Sequence, residues 1–402
     1  MRKIDPVRFQ VATQGTSREI NRQIVLNLVR AHQPISRADL ARTMGVRRGS
    51  VSLIVNDLLQ SGLIIEGAVG KTVRGRKPTF LHIDSRRRTV IAVDVRASQT
   101  YLMLADLLGK PLTGVIRYPT VTDPREFVTT LARRIRALVS EHGLALDACE
   151  GVGVSVPGMI EHSTMRVLHA PQLGWRNVDL REPLAAAIGL RIEIENSGRA
   201  CALAQVWEER SVAARVRNLV FVSVSDGVGV GVVVNGELLR GRRNIAGEFA
   251  HMPFSLDGPR CSCGATGCWE AHISNLATLT RYFGRSGRPD DEHGATIDTL
   301  IARARDGEKK AVAALQASAK YLGLGLGGIV NIIDPDCVFI GGEITTAWDL
   351  IEPIVRTALA ERALTPAAAS TDIVIVSAEE HPRLRGAAML VAAPTFAAPV
   401  VA

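Results

Sequence analysis

The stretch Gly247-Glu248-Phe249-Ala250-His251, followed by Cys261-Ser262-Cys263-Gly264-Ala265-Thr266-Gly267-Cys268 and by Glu270, decides how this chain is read. Three of its six cysteines, Cys261, Cys263 and Cys268, fall within eight residues, while Cys149, Cys201 and Cys337 stand alone. Two thiolates one residue apart need a tight backbone turn, and Gly264 and Gly267 let the loop return so that Cys268 reaches the same point. With His251 the spacing is H-x9-C-x-C-x4-C. One imidazole and three thiolates close a tetrahedral shell, which suits a structural rather than a catalytic Zn²⁺. Clustered thiols also fit a reducing compartment, and no basic-then-apolar segment opens the sequence. The expected location is the cytoplasm.

Around this knuckle the pattern alternates. Val90–Val95, Tyr101–Asp106, Gly151–Val156, Leu190–Glu195, Leu219–Val224 and Val228–Val234 read as strands, and Arg125–His142, Gly198–Glu209 and Lys309–Ile333 as helices. That order implies an α/β body. The most apolar stretch, Leu219–Val234, carries Asp226 and three glycines, too short and too interrupted to span a bilayer. No tandem repeat is visible, and the only biased segment is the Ala-rich tail after Ala387.

The first 88 residues differ in kind. They hold 17 Lys and Arg against 6 Asp and Glu, a net +11, whereas the whole 402-residue chain carries +8, so the rest carries −3. A basic head on a nearly neutral body points to a polyanionic partner. Residues 1–17 read as an arm, mobile or ordered on docking. A helix runs from Ile20 until Pro34 stops it. Ser36 caps a second helix that Gly45 breaks, and a third runs from Val46 to Gly62 with Val51, Ile54, Val55, Leu58 and Leu59 on one face. Ile64–Ile83 reads as a hairpin with a basic tip.

Two short helices, a tight turn and a third helix with a polar face are the parts of a helix-turn-helix. Arg47, Arg48, Ser50 and Ser52 crowd the start of the third helix, with Ser36 and Arg37 at the start of the second. Arg pairs with guanine or phosphate, and Ser with either. In the tip Lys71-Thr72-Val73-Arg74-Gly75-Arg76-Lys77-Pro78, glycine permits close approach while Arg74, Arg76 and Lys77 suit an A·T-rich minor groove.

These motifs together resemble the ROK family of repressors and sugar kinases. In the head the resemblance rests on Ser36-Arg37-Ala38-Asp39-Leu40 and Gly75-Arg76-Lys77-Pro78. In the body it rests on Val156-Pro157-Gly158, Leu173-Gly174-Trp175, Glu195-Asn196, the Gly-Glu-x-x-His element with its knuckle, and Ile340-Gly341-Gly342. It implies a winged helix-turn-helix (1–84), a linker (85–90), and an α/β actin-like, duplicated ribonuclease H-like, body (91–402). The body would comprise one lobe of 91–200 plus a C-terminal helix and a second of 201–375. It also implies that Asn196, Glu248, His251 and Glu270 hydrogen-bond a sugar. His251 can hold the metal through one ring nitrogen and offer the other to the ligand.

Departures from the kinase pattern argue against an enzyme. The expected catalytic Asp after Asn196 is Ser197, and a positioned base is typically worth about 10²–10⁴-fold. The first phosphate loop reads Asp94-Val95-Arg96-Ala97-Ser98, with side chains where two glycines would admit a phosphate. In the second, Asp226 precedes Gly227, and two unit charges about 4 Å apart repel by about 4 kcal/mol at an effective dielectric of 20. Ala250 and Gln172 also depart from the family's sugar pocket. The resulting expectation is a homodimeric or homotetrameric regulator, in all expectation a repressor, binding a pseudo-palindromic, A/T-rich operator under control of a sugar. The alternatives are a sugar kinase carrying a DNA-binding head, and a regulator controlled by a docked partner protein.

Overall fold

The computed structural model describes residues 14–69, 78–85, 87–207, 216–284 and 296–397. Three helices, Gln14–His32, Arg37–Met44 and Arg48–Gln60, pack on a small antiparallel sheet ordered Ile35–Ser36, Thr79–Ile83, Ile64–Val69. Local chemistry sets the boundaries. Ser36 accepts from the Asp39 N–H while Asp39 accepts from the Ser36 N–H, a reciprocal capping box. Gly45 closes that helix at φ +66°, where an L side chain would be strained. Val51, Val55 and Leu58 are buried with Val25, Leu26 and Val29, while Ile54 is only half-buried.

The first helix begins at Gln14, so the last four residues of the expected arm are helical. The third begins at Arg48, not Val46, with Arg47 as its N-cap. The hairpin tip with Arg74, Arg76 and Lys77 lies outside the described residues.

The body holds two five-stranded sheets of the same design. In the first the order is Ile192–Asn196, Cys149–Val156, Thr89–Val95, Gln99–Asp106, Ile116–Pro119. In the second it is Asp372–Ile375, Cys337–Gly341, Leu219–Val224, Val228–Val234, Glu237–Leu238. Each begins with a three-strand antiparallel meander and adds two parallel strands on the other side of its first strand. The central strands Thr89–Val95 and Leu219–Val224 are buried at every residue, as sheets covered on both faces require. This duplicated topology is the actin-like architecture.

Two expectations need correction. Thr89 and Val90 already belong to the first central strand, so the expected linker 85–90 ends earlier. The helix Ser197–Val206 runs through the expected lobe boundary at 200/201 unbroken; it packs on both sheets because its apolar residues face both. The C-terminal helix expected with the first lobe is Pro382–Phe396, the Ala-rich tail itself, buried because small side chains allow close packing on the first sheet. The same tail shares one apolar core with the N-terminal helices.

Candidate functional site

His251 closes a short turn after Glu248, and the knuckle loop folds back against it: the Gly267 N–H donates to Pro259 O, and the Cys261 N–H to Ala265 O. The ligand atoms of His251, Cys261, Cys263 and Cys268 all lie within 4.8 Å of one another. Cys261 Sγ is 3.6 Å from His251 Nδ1, and Cys263 Sγ is 3.7 Å from Cys268 Sγ. Tetrahedral bonds of about 2.3 Å to sulfur give edges of about 3.8 Å, so the spacing suits one small ion. Burial pushes the Cys261 and Cys268 thiols up, with Glu270 adding to the effect on Cys261. Such thiols give up their protons to a cation rather than to water. This cluster can hold a metal ion.

Beside it, between the two sheets, lies a cavity of about 230 Å³ lined by Asn196, Glu248, His251 and Glu270. All four sugar-site candidates are thus brought together. Glu270 starts a short helix directly after the knuckle. One carboxylate oxygen accepts from Ser262 Oγ at 2.7 Å, and the other from the Val228 N–H at 2.9 Å, so knuckle and second sheet fix it jointly. His251 turns Nδ1 to Cys261, leaving Nε2 for the cavity side. Asn196 caps the helix Ser197–Val206 through Oδ1 and donates one N–H to Gly158 O, keeping a second N–H. Burial raises the Glu248 carboxyl pKa, against the opposing pull of Arg199.

The opposite end of the cavity is closed by the chain's own charges. Arg96 donates to Asp94 at 2.8 Å and to Glu343 at 3.5 Å, and its guanidinium lies 4.4 Å from the Tyr101 ring centroid. Arg383 donates to Ser223 Oγ and Ser225 Oγ, both at 3.1 Å. Burial alone would raise the Glu343 carboxyl, but Arg383 and a hydrogen bond from Ser225 hold it below the ordinary glutamate range. Ser197 and Asp226 line the same cavity.

In the head, Val46, Arg47, Arg48, Gly49 and Ser50 form one exposed run at the start of the third helix, as the sequence predicts. Ser52 is half-buried and donates to Arg48 O. Two candidate DNA contacts are otherwise engaged. Ser36 is 4% exposed and its hydroxyl serves the capping box, so it is no surface contact; Arg37 pairs with Glu66 across to the sheet. The residue missed is Leu53, 72% exposed on the face of the third helix away from its core. The signal was its place between the inward Val51 and Val55.

Comparison with known proteins adds a family to this geometry. The model of the ROK family matches residues 90–393. The chain belongs to the ROK family. The xylose repressor of Bacillus subtilis (strain 168) is 27% identical over 354 residues, covering 88% of this chain and 90% of that protein. A glucokinase of Streptomyces coelicolor is 28% identical over 284 residues, 66% of this chain and 85% of the enzyme. Among solved structures, a ROK family transcriptional regulator described as a homolog of the Escherichia coli MLC protein superposes with a TM-score of 0.78. It is 26% identical and covers 95% of this chain and 97% of its own. The repressor and regulator matches extend through the head, whereas the glucokinase match is confined to about two thirds of the chain.

Within this ROK body the buried pair Glu195–Arg199 is a second feature that motif reading passed over. Arg199 donates to Glu195 at 3.4 Å, to Asn244 O at 2.7 Å and to Ala246 O at 3.2 Å, and lies 3.8 Å from Glu248. It ties the loop carrying Glu248 to the helix carrying Asn196. Arg240 also pairs with Glu195. An Arg two residues beyond Ser197 was the available signal.

Proposed function

We propose that this chain is a sugar-responsive transcriptional repressor without kinase activity, working in the cytoplasm. Residues 1–84 act as a winged helix-turn-helix, and residues 89–402 as the effector body. One observation carries the reading: a single cavity has hydroxyl-binding groups at one end and Arg96 paired with the chain's own Asp94 and Glu343 at the end where a kinase would hold phosphates. Asn196, Glu248, His251 and Glu270 supply donors and acceptors for a polyol, and the volume takes one sugar ring. Arg96 is tied to Asp94 and Glu343 and Arg383 to Ser223 and Ser225, and Ser197 supplies no carboxylate base.

Zinc, held by His251, Cys261, Cys263 and Cys268, would supply rigidity rather than reactivity. The closed four-donor set leaves no open coordination position for chemistry, and the ion would fix His251 and Glu270 against the cavity. Arg47, Arg48, Ser50 and Ser52 face the major groove, with Leu53 set to meet a thymine methyl. Arg74, Arg76 and Lys77 reach the minor groove of an A/T-rich site. A two-fold homo-oligomer would read a pseudo-palindrome. The xylose repressor match favours a pentose as effector.

The test is a calorimetric screen of pentoses, hexoses and amino sugars against the zinc-loaded protein, run with and without ATP and Mg²⁺. The expected result is one class of monosaccharide binding at one site per chain, unchanged by ATP and with no sugar phosphate formed. The glucokinase relative makes the opposite result specific: ATP-dependent phosphorylation would make the chain an enzyme.

A further inference from the structure

Two helices start at the cavity and end at one residue of the head. The helix Ser197–Val206 is capped by Asn196 in the cavity wall and ends at Trp207. The helix Pro382–Phe396 begins with Arg383, also in the cavity wall, and ends at Phe396. At about 1.5 Å per residue they reach about 15 and 22 Å from the cleft. They pack as one piece: a Cβ on Gly386 would fall 1.8 Å from Ala200 O, so the two backbones touch. The Trp207 and Phe396 rings lie 6.2 Å apart.

Arg30 meets both ends. Its guanidinium carbon is 4.5 Å from the Trp207 ring centroid and 5.2 Å from that of Phe396. One turn earlier, Asn27 donates to Phe396 O at 2.8 Å. Arg30 sits in the last turn of the helix Gln14–His32, and Val25, Leu26 and Val29 of that helix form the core beneath Val51, Val55 and Leu58 of Arg48–Gln60. A shift of the helix ends therefore changes the seat of the DNA-facing helix. Cations are held by the negative faces of aromatic rings, so the contact has a preferred geometry that a sliding apolar contact lacks.

We propose that Arg30 is the positioning residue through which occupancy of the cleft acts on the head, with Trp207 and Phe396 as the two jaws it reads. The proposal rests on the sugar-responsive reading above. When the sugar draws on Asn196 at one helix start and alters the lobe spacing that Arg383 spans at the other, the jaws move together and carry Arg30.

The full-length, zinc-loaded protein is tested with a labelled operator selected from a random duplex pool and the tightest-binding monosaccharide of a pentose and hexose panel. In the unmutated protein the sugar changes operator Kd by about 5–150-fold, and operator changes sugar Kd by the same factor. Arg30→Met is expected to bring both ratios to within about twofold of unity while leaving each ligand's Kd alone within about threefold. Arg30→Lys restores part of the coupling, and Trp207→Leu, on the opposite side of the contact, abolishes it. A purely structural role would weaken both ligands and leave the ratio. Full coupling in Arg30→Met and in Trp207→Leu overturns the inference alone. An unmutated protein whose operator Kd ignores every sugar overturns the sugar-responsive reading, and the inference with it.

Discussion

The two ends of one cleft differ in how their polar groups are satisfied. At the end facing the His/Cys cluster, Glu270, Asn196 and His251 are each held from behind and keep hydrogen-bonding capacity toward the cavity. At the other, Arg96 is held by Asp94 and Glu343, and Arg383 by Ser223 and Ser225. A buried charge left without a partner is costly, so under the proposed function a cleft that meets no nucleotide must offset its own charges. On the proposed reading, recognition is retained where the polar groups have spare capacity, and transfer is lost where they do not.

The strongest way to break this contrast is to remove the cluster. Cys268→Ser is expected to take metal content from one ion per chain to none and to abolish sugar binding, since structural zinc sites are worth on the order of 10–16 kcal/mol. Metal analysis with parallel calorimetry reads both, and operator binding without sugar should persist because the apolar core that seats the head contains no residue of the knuckle. Next in size is Arg199→Ala. It leaves Glu195, 2% exposed, with Arg240 as its remaining ion-pair partner beside the Asn196 N–H, and removing one partner of a buried pair costs about 3–5 kcal/mol, read from the urea midpoint. Glu248→Gln sharpens the comparison at lower cost. A lost charge-assisted bond to a sugar hydroxyl is worth about 1.5–3 kcal/mol, about 10- to 150-fold in sugar Kd.

The smallest effect is the most diagnostic, because the two ends carry opposite pH signatures. Glu343 is held below its ordinary 4.5, so the stability it contributes is present above pH 4.5 and lost as pH falls through its lowered value. Glu248 is raised above 4.5, so its contribution is present below pH 4.5 and lost as pH rises through its raised value. Thermal midpoints between pH 3 and 7 should show Glu343→Gln flattening the acid fall and Glu248→Gln steepening it (a window set on the order of the ordinary carboxylate range). Shifts of the same sign in both variants would erase the distinction.

Much of this was legible in the sequence, for reasons that differ by region. The knuckle could be read because metal ligation demands residue types at short fixed spacing, and all four donors converge. The three head helices could be read because Ser36, Gly45 and Gly62 are local signals, and both glycines have φ +66°. What stayed hidden depends on distant partners. The strands Cys337–Gly341 and Asp372–Ile375 are parallel additions whose neighbours lie far along the chain. Ser36 looked like a surface contact, but a capping box turns the same hydroxyl inward. Pairings such as Arg96 with Glu343, 247 residues apart, leave no local trace.

Sugar titration into the preformed protein–operator complex, followed by fluorescence anisotropy of the labelled DNA, tests the central claim most directly. Release of the operator along a saturable curve, with a midpoint matching the calorimetric Kd and no dependence on ATP, is the predicted result. Anisotropy that stays flat for every monosaccharide, or that changes only when ATP is added and consumed, would contradict it.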